Sequence, residues 1–319
     1  MKELALLSLA ALLAAAAPEK KPAPGEIAAA APASDWADIA ADDLLVMTLA
    51  PDPKGKPRQV LIQLMPPPLS EGWVGNIHAL AKAHWWDGLS VYRVQDNYVT
   101  QWGDADGDDP KKAKPLPDGL KTVPESGYAL KSPTHRVCDG GNCRRAPEPV
   151  TATLKAVSRD AYAPGVGFGH GWPLAFDDQG VVWPTHCYGM VGVARDLSPS
   201  TGTGAELYTV ISHAPRHLDR NIALVGRVVE GMAELSSLPR GAGSLGVYEK
   251  PDERTPILSV RLASELPAAE QPHLQYLSTE SASFARYAEA VANRRDPFFI
   301  APAGGADVCN VRVPIRRKP

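Results

Sequence analysis

The sequence has little net charge, because 33 lysines and arginines against 36 aspartates and glutamates leave −3 over 319 residues. A protein that binds nucleic acid or an anionic membrane surface through its charge carries a basic excess. The charge therefore gives no reason to expect either partner, and it is typical of a mixed, solvated surface. The 44% hydrophobic content is that of a globular chain that buries a core.

Motifs of several enzyme classes are also missing. The sequence contains no Gly-Lys-Ser/Thr phosphate loop, no helical pair of histidines around a glutamate, and no serine nucleophile elbow. Its Gly-rich segment at 165–169 follows no convincing strand and opens no helix, so it does not indicate a nucleotide site. A hydrolase built from His170, Asp177 and Asp178 has no recognisable nucleophile–base spacing. None of these classes is favoured.

Cysteine is scarce, and its four residues allow three pairings among which the sequence does not choose. Cys138 and Cys143 flank a turn with two glycines and an asparagine, which favours a local disulfide. That pairing would leave Cys187 and Cys309 as a long-range pair. The two-residue spacing of paired zinc-binding cysteines is absent, so we expect no metal. Disulfides would fit an oxidising compartment.

No apolar run is long enough to span a membrane comfortably. The N-terminal run covers about a dozen residues, against the roughly 20 that a spanning helix needs. It follows Met1-Lys2 and ends in alanines, which is the pattern of a secretory signal peptide at 1–17 rather than of a buried helix. The Ala- and Pro-rich stretch at 18–34 is predicted to be a linker. We expect an exported protein, periplasmic as first choice and secreted as second, with no membrane contact after signal removal.

Apolar stretches of strand length recur along the chain. The predicted strands are 44–49, 59–65, 89–94, 98–102, 188–194, 206–211, 222–229 and 255–262. Two helices are predicted, one capped by Ser70 and one at 281–293. Short strands with two helices indicate a mainly β fold, either a barrel or an α+β arrangement.

The pattern dissolves at about 105–185, where Pro, Gly and Lys are frequent and no regular period persists. A stretch of this length without regular structure is functional, disordered or an inserted subdomain. We interpret it as a loop-rich insertion in a domain that covers 35–250. Residues 251–319 are then expected to form a C-terminal extension packed on that domain.

Six blocks of sequence carry a combined signal. They are Val-Tyr-Arg-Val at 91–94, Tyr-Val-Thr-Gln-Trp-Gly-Asp at 98–104, Gly-Met-Val-Gly-Val-Ala-Arg at 189–195, Thr-Gly-Ala-Glu-Leu-Tyr-Thr at 203–209, His-Leu-Asp at 217–219 and Val-Gly-Arg-Val-Val-Glu-Gly-Met at 225–232. In that order they resemble the cyclophilin motifs Phe-His-Arg-Val, Phe-Met-Xaa-Gln-Gly-Gly-Asp, Gly-Xaa-Xaa-Ser-Met-Ala, Gly-Ser-Gln-Phe-Phe-Ile, a Leu-Asp turn and Phe-Gly-Xaa-Val-Xaa-Xaa-Gly-Met. The concurrence of blocks is far more specific than any single one. The resemblance covers 40–110 and 185–236, and it implies a cyclophilin-like closed β-barrel with two capping helices.

The resemblance also implies an activity, peptidyl-prolyl cis–trans isomerisation. Rotation about an X-Pro amide faces a barrier of ~18–20 kcal/mol, but it forms no bond to another atom and needs no metal or cofactor. Arg93 matches the family's catalytic arginine, which donates to the prolyl nitrogen of the twisted amide, and Gln101 matches the glutamine that orients it. The family's apolar proline pocket corresponds to Tyr98, Val99, Tyr208 and Leu218, for which the alternative is plain barrel core.

Several positions depart from the family's pattern. Glu206 replaces a glutamine, and its carboxylate is expected to pair with Arg93 and compete with substrate. The other replacements are His217 for Trp, Arg195 for a substrate-contacting Asn, Ile222 for His, and Trp102 for a Gly of the groove floor. With Gln101 and the pocket residues, Arg195, Glu206 and His217 complete the candidate substrate-binding set. The replacements bear on catalytic efficiency more than on the fold.

We therefore predict a prolyl isomerase that assists the folding of exported proteins. Its partners would be proline-containing polypeptides, with a monomer favoured. The alternative is a cyclophilin-like binding module that docks a Pro-containing partner with little or no turnover, using the insertion as the partner surface. A pure scaffold has no need for Arg93, Gln101 and an aromatic pocket, and these residues discriminate between the two.

Overall fold

A computed structural model describes residues 21–139, 141–157 and 160–319, so the signal peptide predicted at 1–17 lies outside the described residues. The α-helices of the described part are α1 (Pro24–Ala29), α2 (Glu71–Lys82), α3 (Met232–Ser236) and α4 (Ala282–Ala292). Its strands, in chain order, are β1 (Trp36–Asp38), β2 (Leu44–Leu49), β3 (Arg58–Leu64), β4 (Ser90–Val94), β5 (Val99–Gly103), β6 (Leu130–Lys131), β7 (Thr134–Asp139), β8 (Asn142–Pro147), β9 (Gly165–Gly169), β10 (Trp172–Phe176), β11 (Val181–Pro184), β12 (Met190–Val193), β13 (Leu207–Val210), β14 (Leu224–Glu230), β15 (Thr255–Leu262), β16 (Leu274–Leu277) and β17 (Ile315–Arg317).

Eight antiparallel strands close into a barrel in the order β12-β13-β5-β4-β15-β2-β3-β14. They are the eight strands that the sequence predicts, with ends that differ by at most two residues. Closure pairs every strand on both sides, so no edge of this sheet is left open. The mainly β, closed-barrel fold is thereby confirmed.

Strand β2 is apolar along its whole length because both of its faces are buried. Leu45, Met47 and Leu49 lie in the barrel core, whereas Leu44 and Val46 lie in a second apolar cluster. Successive side chains on a strand point to opposite faces. The second cluster includes residues from the chain after β15, so the C-terminal segment covers the outer face of β2.

Helix α2 packs against the barrel core through Trp73, Ile77 and Leu80. Ser70 occupies its N-cap position, but its hydroxyl donates to the carbonyl oxygen of Leu224 at 2.7 Å and caps nothing. Ser70 therefore lies at the predicted N-cap position, but its side chain makes no capping hydrogen bond. The other helix at the barrel is the short α3, which the sequence did not indicate.

The insertion at 105–185 is more ordered than its sequence indicates. It forms a four-stranded sheet, β6-β11-β10-β9, and the β7–β8 hairpin. A Cβ on Gly169 would lie 1.7 Å from the carbonyl oxygen of Pro149, and one on Gly167 would lie 2.6 Å from that of Ala152. Glycine stands where another backbone approaches closely. The Gly-rich segment at 165–169 therefore forms strand β9, which its glycine content did not indicate.

Two boundary predictions need correction. Strand β15 closes the barrel between β4 and β2, so the C-terminal extension begins after Leu262 rather than at 251. The described part of the predicted linker contains α1, which packs on α4. Helix α4 in turn packs on the inserted sheet, where the rings of Phe168 and Phe284 lie 5.1 Å apart. Composition does not reveal these contacts because they join segments far apart in the chain.

Both expected cysteine pairs are bonded, namely the local pair that the turn at 138–143 favours and the long-range pair that it leaves. Cys138 and Cys143 join β7 to β8 with a Cα separation of 4.0 Å. Cys187 and Cys309 join the end of the insertion to the C-terminal extension with a Cα separation of 5.0 Å. The second bond closes a loop of 122 residues and so holds two distant segments together.

The described residues form neither a membrane-spanning helix nor a metal-binding cluster. No helix there is both long and apolar enough to cross a bilayer. No group of three or more His, Cys, Asp or Glu side chains there is placed to hold a metal ion.

Candidate active site

Arg93 lies on β4, across the antiparallel ladder from Gln101 on β5. Its Nη1 donates to Gln101 Oε1 at 2.8 Å, its Nη2 donates to Gln95 Oε1, and its Nε donates to the carbonyl oxygen of Leu245 at 2.8 Å. The side chain is half-buried, and this burial lowers the pKa of Arg93. Three neutral acceptors thus hold one cation in a fixed orientation. The sequence had indicated only Gln101 for this role.

Glu206 does not pair with Arg93, contrary to expectation. Its Oε2 accepts from the hydroxyl of Tyr92 at 2.8 Å, and its Oε1 accepts from the backbone N–H of Asp104 at 2.7 Å. In the part of the chain that the structure describes, no hydrogen bond or ion pair joins it to Arg93. Gly103 permits this placement, since a Cβ there would lie 2.1 Å from Glu206 Oε2. The carboxylate is therefore held away from the guanidinium.

Tyr92 connects Glu206 to the residue that orients the arginine. Its hydroxyl accepts from Gln101 Nε2 and donates to Glu206. Burial raises the pKa of Tyr92, so the phenol stays protonated. Burial also raises the pKa of Glu206 to about 7, against the lowering by its hydrogen bonds. Tyr92 stands where the family's motif has His, and that departure was the signal by which it could have been found.

The four predicted pocket residues gather in one apolar cluster on the outside of the barrel: Tyr98, Val99, Tyr208 and Leu218. This cluster is separate from the barrel core, which takes the intervening residues of the same strands. The guanidinium carbon of Arg93 lies 6.0 Å from the ring centroid of Tyr98, so the cluster adjoins the cation. Trp102 points into the barrel core instead of forming a groove floor, as the alternation of β5 requires.

Tyr208 carries a hydroxyl that the family's Phe lacks, and Gly192 makes room for it. The two residues are partners across the β12–β13 ladder. A Cβ on Gly192 would lie 2.4 Å from both Oη and Cζ of Tyr208, so glycine leaves room for the end of the ring as well as for the hydroxyl. The family's motif has Ser at the position of Gly192, so a larger side chain on one strand is matched by the loss of one on its neighbour.

A buried polar chain continues from this hydroxyl. Tyr208 Oη lies 3.1 Å from His186 Nε2, and His186 Nδ1 lies 2.9 Å from Asp219 Oδ1. Asp219 also accepts from Arg216 Nε at 2.6 Å, and Arg216 Nη1 donates to Asp160 at 2.7 Å. Although burial raises the pKa of Asp219, its bonds to His186 and Arg216 hold it below its ordinary value. An ionised Asp219 can only accept, so the N–H of His186 Nδ1 donates to it, and in this neutral tautomer Nε2 accepts from the Tyr208 hydroxyl.

The sequence did not predict this hydrogen-bond relay, which links Tyr208, His186, Asp219, Arg216 and Asp160. Its members come from the insertion, from β13 and from the turn before β14, and nothing in their spacing relates them. The Leu-Asp turn at 218–219 was the available signal, since it placed Asp219 next to a pocket residue.

The remaining predicted residues lie around this centre. Arg195 donates to the carbonyl oxygens of Asn221 at 2.8 Å and Asp196 at 2.6 Å. With Gln101 and Glu206 it lines a cavity of about 440 Å³. His217 is exposed and joins neither this cavity nor the apolar cluster.

The chain matches one family model and is similar in fold to a solved structure. The family model described as cyclophilin type peptidyl-prolyl cis-trans isomerase/CLD matches residues 72–262. The crystal structure of cyclophilin AquaCyp293 from Hirschia baltica is similar at a TM-score of 0.63 and 18% identity, covering 88% of this chain and 92% of that chain. At such identity the likeness shows the fold.

Another similar structure is a cyclophilin type peptidyl-prolyl cis-trans isomerase of Cryptosporidium parvum, crystallised in the presence of the dipeptide Ala-Pro. It has a TM-score of 0.37 and 10% identity, and covers 69% of this chain and 97% of that chain. No curated protein sequence matches the chain.

Proposed function

The chain belongs to the cyclophilin-type peptidyl-prolyl cis–trans isomerase family, whose model covers more than half of it, and we propose that it isomerises X-Pro bonds with Arg93 as the catalytic residue. One observation carries the proposal. The guanidinium of Arg93 is fixed by Gln101 beside the apolar cluster that contains Tyr98. A fixed donor next to an apolar pocket is what amide rotation requires.

The mechanism follows from the electronic change during rotation. The planar amide is conjugated, and twisting it turns the prolyl nitrogen into a basic, pyramidal acceptor. Each terminal nitrogen of Arg93 carries a second N–H beyond those bound to Gln101 and Gln95. Donation to the twisted nitrogen stabilises the transition state over either planar form. The apolar cluster holds the proline ring in place meanwhile.

Tyr92 is proposed as a positioning residue for this donor. An amide side chain can present either its oxygen or its nitrogen to a neighbour. The Nε2 group of Gln101 donates a hydrogen bond to the hydroxyl of Tyr92, so the Oε1 of Gln101 faces Arg93. Glu206 accepts a hydrogen bond from the Tyr92 hydroxyl, and this fixes the donor direction along the series Glu206, Tyr92 and Gln101. The cation is held by an amide that has one available orientation.

The test is a protease-coupled isomerisation assay on an X-Pro peptide with the wild type and Arg93→Ala. Loss of a transition-state donor costs about 2.7–4 kcal/mol, so kcat/KM should fall by roughly 10²–10³-fold. Arg317→Ala, at an exposed arginine paired with Glu230, is the matched control and should retain wild-type activity. Equal rates for Arg93→Ala and the wild type would remove Arg93 from the mechanism.

A binding module with little or no turnover is the second candidate, and the loop at 241–247 favours it. The carbonyl oxygen of Leu245 accepts a hydrogen bond from Arg93 Nε, and Val247 forms a backbone β-bridge with Arg93. An arginine engaged by its own chain is a poorer donor to substrate. Saturable binding of an X-Pro peptide by a wild type that shows no turnover would select this function.

We further propose that the protein is exported, to the periplasm as first choice or else secreted, and acts there as a monomer on exported polypeptides. The N-terminal sequence at 1–17 and the two disulfides support this. When the full sequence is expressed, cell fractionation should find the protein outside the cytoplasm with its thiols oxidised. A variant without residues 2–17 should remain inside with its thiols reduced. Light scattering of the purified protein tests the monomer.

A further inference from the structure

A separate cavity of about 250 Å³ lies between β14 and the C-terminal extension. It shares no residue with the candidate active site. Aliphatic side chains such as Val228, Val311 and Val313 form its walls, together with the disulfide between Cys187 and Cys309. None of the described residues that line it is acidic, and its charged side chains are two arginines.

The deeper of these arginines, Arg227, is a buried cation. Only 7% of it is exposed. Its Nε and Nη2 donate to Gln63 Oε1 at 2.9 and 2.7 Å, and its Nη1 donates to the carbonyl oxygen of Gly171 at 2.6 Å. Its guanidinium stacks on the ring of Trp172 at 4.5 Å. Every one of these partners is neutral.

Arg227 therefore lacks a counter-charge within the described residues, where no ion pair includes it. Buried charges in proteins are normally paired, because an isolated ion loses its hydration without replacement. Burial without a counter-charge lowers the pKa of Arg227 to about 10, because it disfavours the charged form. At neutral pH the guanidinium still carries its charge.

Two donors of Arg227 remain. A guanidinium has five N–H groups, and the three bonds above use one each on Nε, Nη1 and Nη2. One N–H on each terminal nitrogen is left without a protein acceptor among the described residues. A guanidinium binds a carboxylate in a fork when two of its N–H groups face the same way.

The second arginine, Arg312, supplies a cation at the exposed side of the cavity. It is exposed, and its guanidinium stacks on the ring of Tyr188 at 4.7 Å. The cavity thus joins aliphatic walls to one buried and one exposed positive charge. A strongly hydrated dianion such as phosphate would meet apolar walls over most of its surface. A monoanion with an aliphatic tail matches both features.

We propose that this cavity binds a small aliphatic carboxylate, with its head group on Arg227 and its tail against the valine-lined walls. Arg312 lies at the entrance and attracts the anion. At roughly 30 Å³ for each water-sized group, the volume holds about eight non-hydrogen atoms. Hexanoate has this size.

Arg227 also has a structural role, because it joins Gln63 on β3 to the β9–β10 turn of the insertion. A substitution there tests folding as well as binding. Val313→Phe fills the cavity and leaves both arginines in place, so it separates the two. Arg240→Ala, at a surface arginine paired with Asp96 and outside the cavity, is the control.

The experiment is a titration of the full-length, oxidised protein with hexanoate and with 1-hexanol, followed by heteronuclear NMR and calorimetry. We expect one hexanoate per chain in the millimolar range, and hexanol at least tenfold weaker. Arg227→Met and Val313→Phe should each weaken hexanoate at least tenfold, Arg312→Ala about threefold, and Arg240→Ala not at all.

Three results would overturn the site. They are no saturable hexanoate binding, equal affinity for hexanol, or wild-type affinity in Val313→Phe. If Arg227→Met does not fold, the Val313→Phe and hexanol comparisons decide the matter alone.

Discussion

Replacing Glu206 by glutamine should remove a pH dependence of folding stability. Burial raises the pKa of this carboxyl from its ordinary 4.5 to about 7. The fold therefore favours the neutral form, and its contribution is fully present below pH 4.5 and lost as the pH rises through about 7. At 1.36 kcal/mol per pKa unit, the step from 4.5 to about 7 corresponds to about 3 kcal/mol.

Chemical denaturation of the wild type and Glu206→Gln across this pH interval measures the effect. All other titrating groups are shared, so the difference between the two free energies of unfolding isolates Glu206. That difference should shift by about 3 kcal/mol in favour of the variant between acid and mildly alkaline pH. Glu249→Gln, at an exposed glutamate, should follow the wild type. A flat difference would mean that Glu206 is not desolvated as the structure describes.

The remaining predictions concern the pocket and the disulfides. Tyr208→Phe leaves the buried His186 Nε2 without a donor, so the free energy of unfolding should fall by about 1–3 kcal/mol and KM should change more than kcat; unchanged stability would contradict the relay. Gly192→Ala places a Cβ 2.4 Å from both Cζ and Oη of Tyr208 and should raise KM. The same change in a Tyr208→Leu background, which removes both atoms, should cost less, and additive effects would refute the size match. Cys309→Ser opens a loop of 122 residues, and Cys143→Ser opens one of 5. Chain entropy predicts that the free energy of unfolding, measured by chemical denaturation, falls by about 5 kcal/mol in the first variant and about 2 kcal/mol in the second. A larger loss in Cys143→Ser would contradict that reasoning.

The barrel was predictable because its strands are encoded locally. Each is a short apolar run between turn residues, and β15 was located to the residue even though its place between β4 and β2 was not foreseen. The strand pattern states that a segment is extended and apolar. It does not indicate which strand lies beside it. The predicted C-terminal extension therefore included β15, which belongs to the barrel.

The inserted sheet escaped prediction for a different reason. Gly167 and Gly169 lie in β9 because the neighbouring backbone leaves no room for a Cβ. Glycine in a sequence ordinarily indicates a turn or a loop. Only the position of the chain around 149–152 converts the same residues into a strand.

The active-site residues divide along the same line. Arg93, Gln101 and the candidate pocket residues were predicted from motifs, because each motif lies within a short contiguous stretch of the chain. The orientation of Glu206 was wrong, because it depends on Tyr92 and on the space above Gly103. A hydrogen bond between residues about a hundred positions apart leaves no trace in either segment.

The sequence by itself predicted the eight barrel strands and the adjoining positions of Arg93 and Gln101, and it favoured the local pair of Cys138 and Cys143. Local propensity, strand period and contiguous motifs act within a few residues, so they can be recognised along a chain. Tertiary structure alone decided that Glu206 is held off Arg93, that His186 supports Tyr208, and that Arg227 is buried without a counter-charge. Those outcomes depend on desolvation and on which distant groups meet, and both are properties of the folded chain.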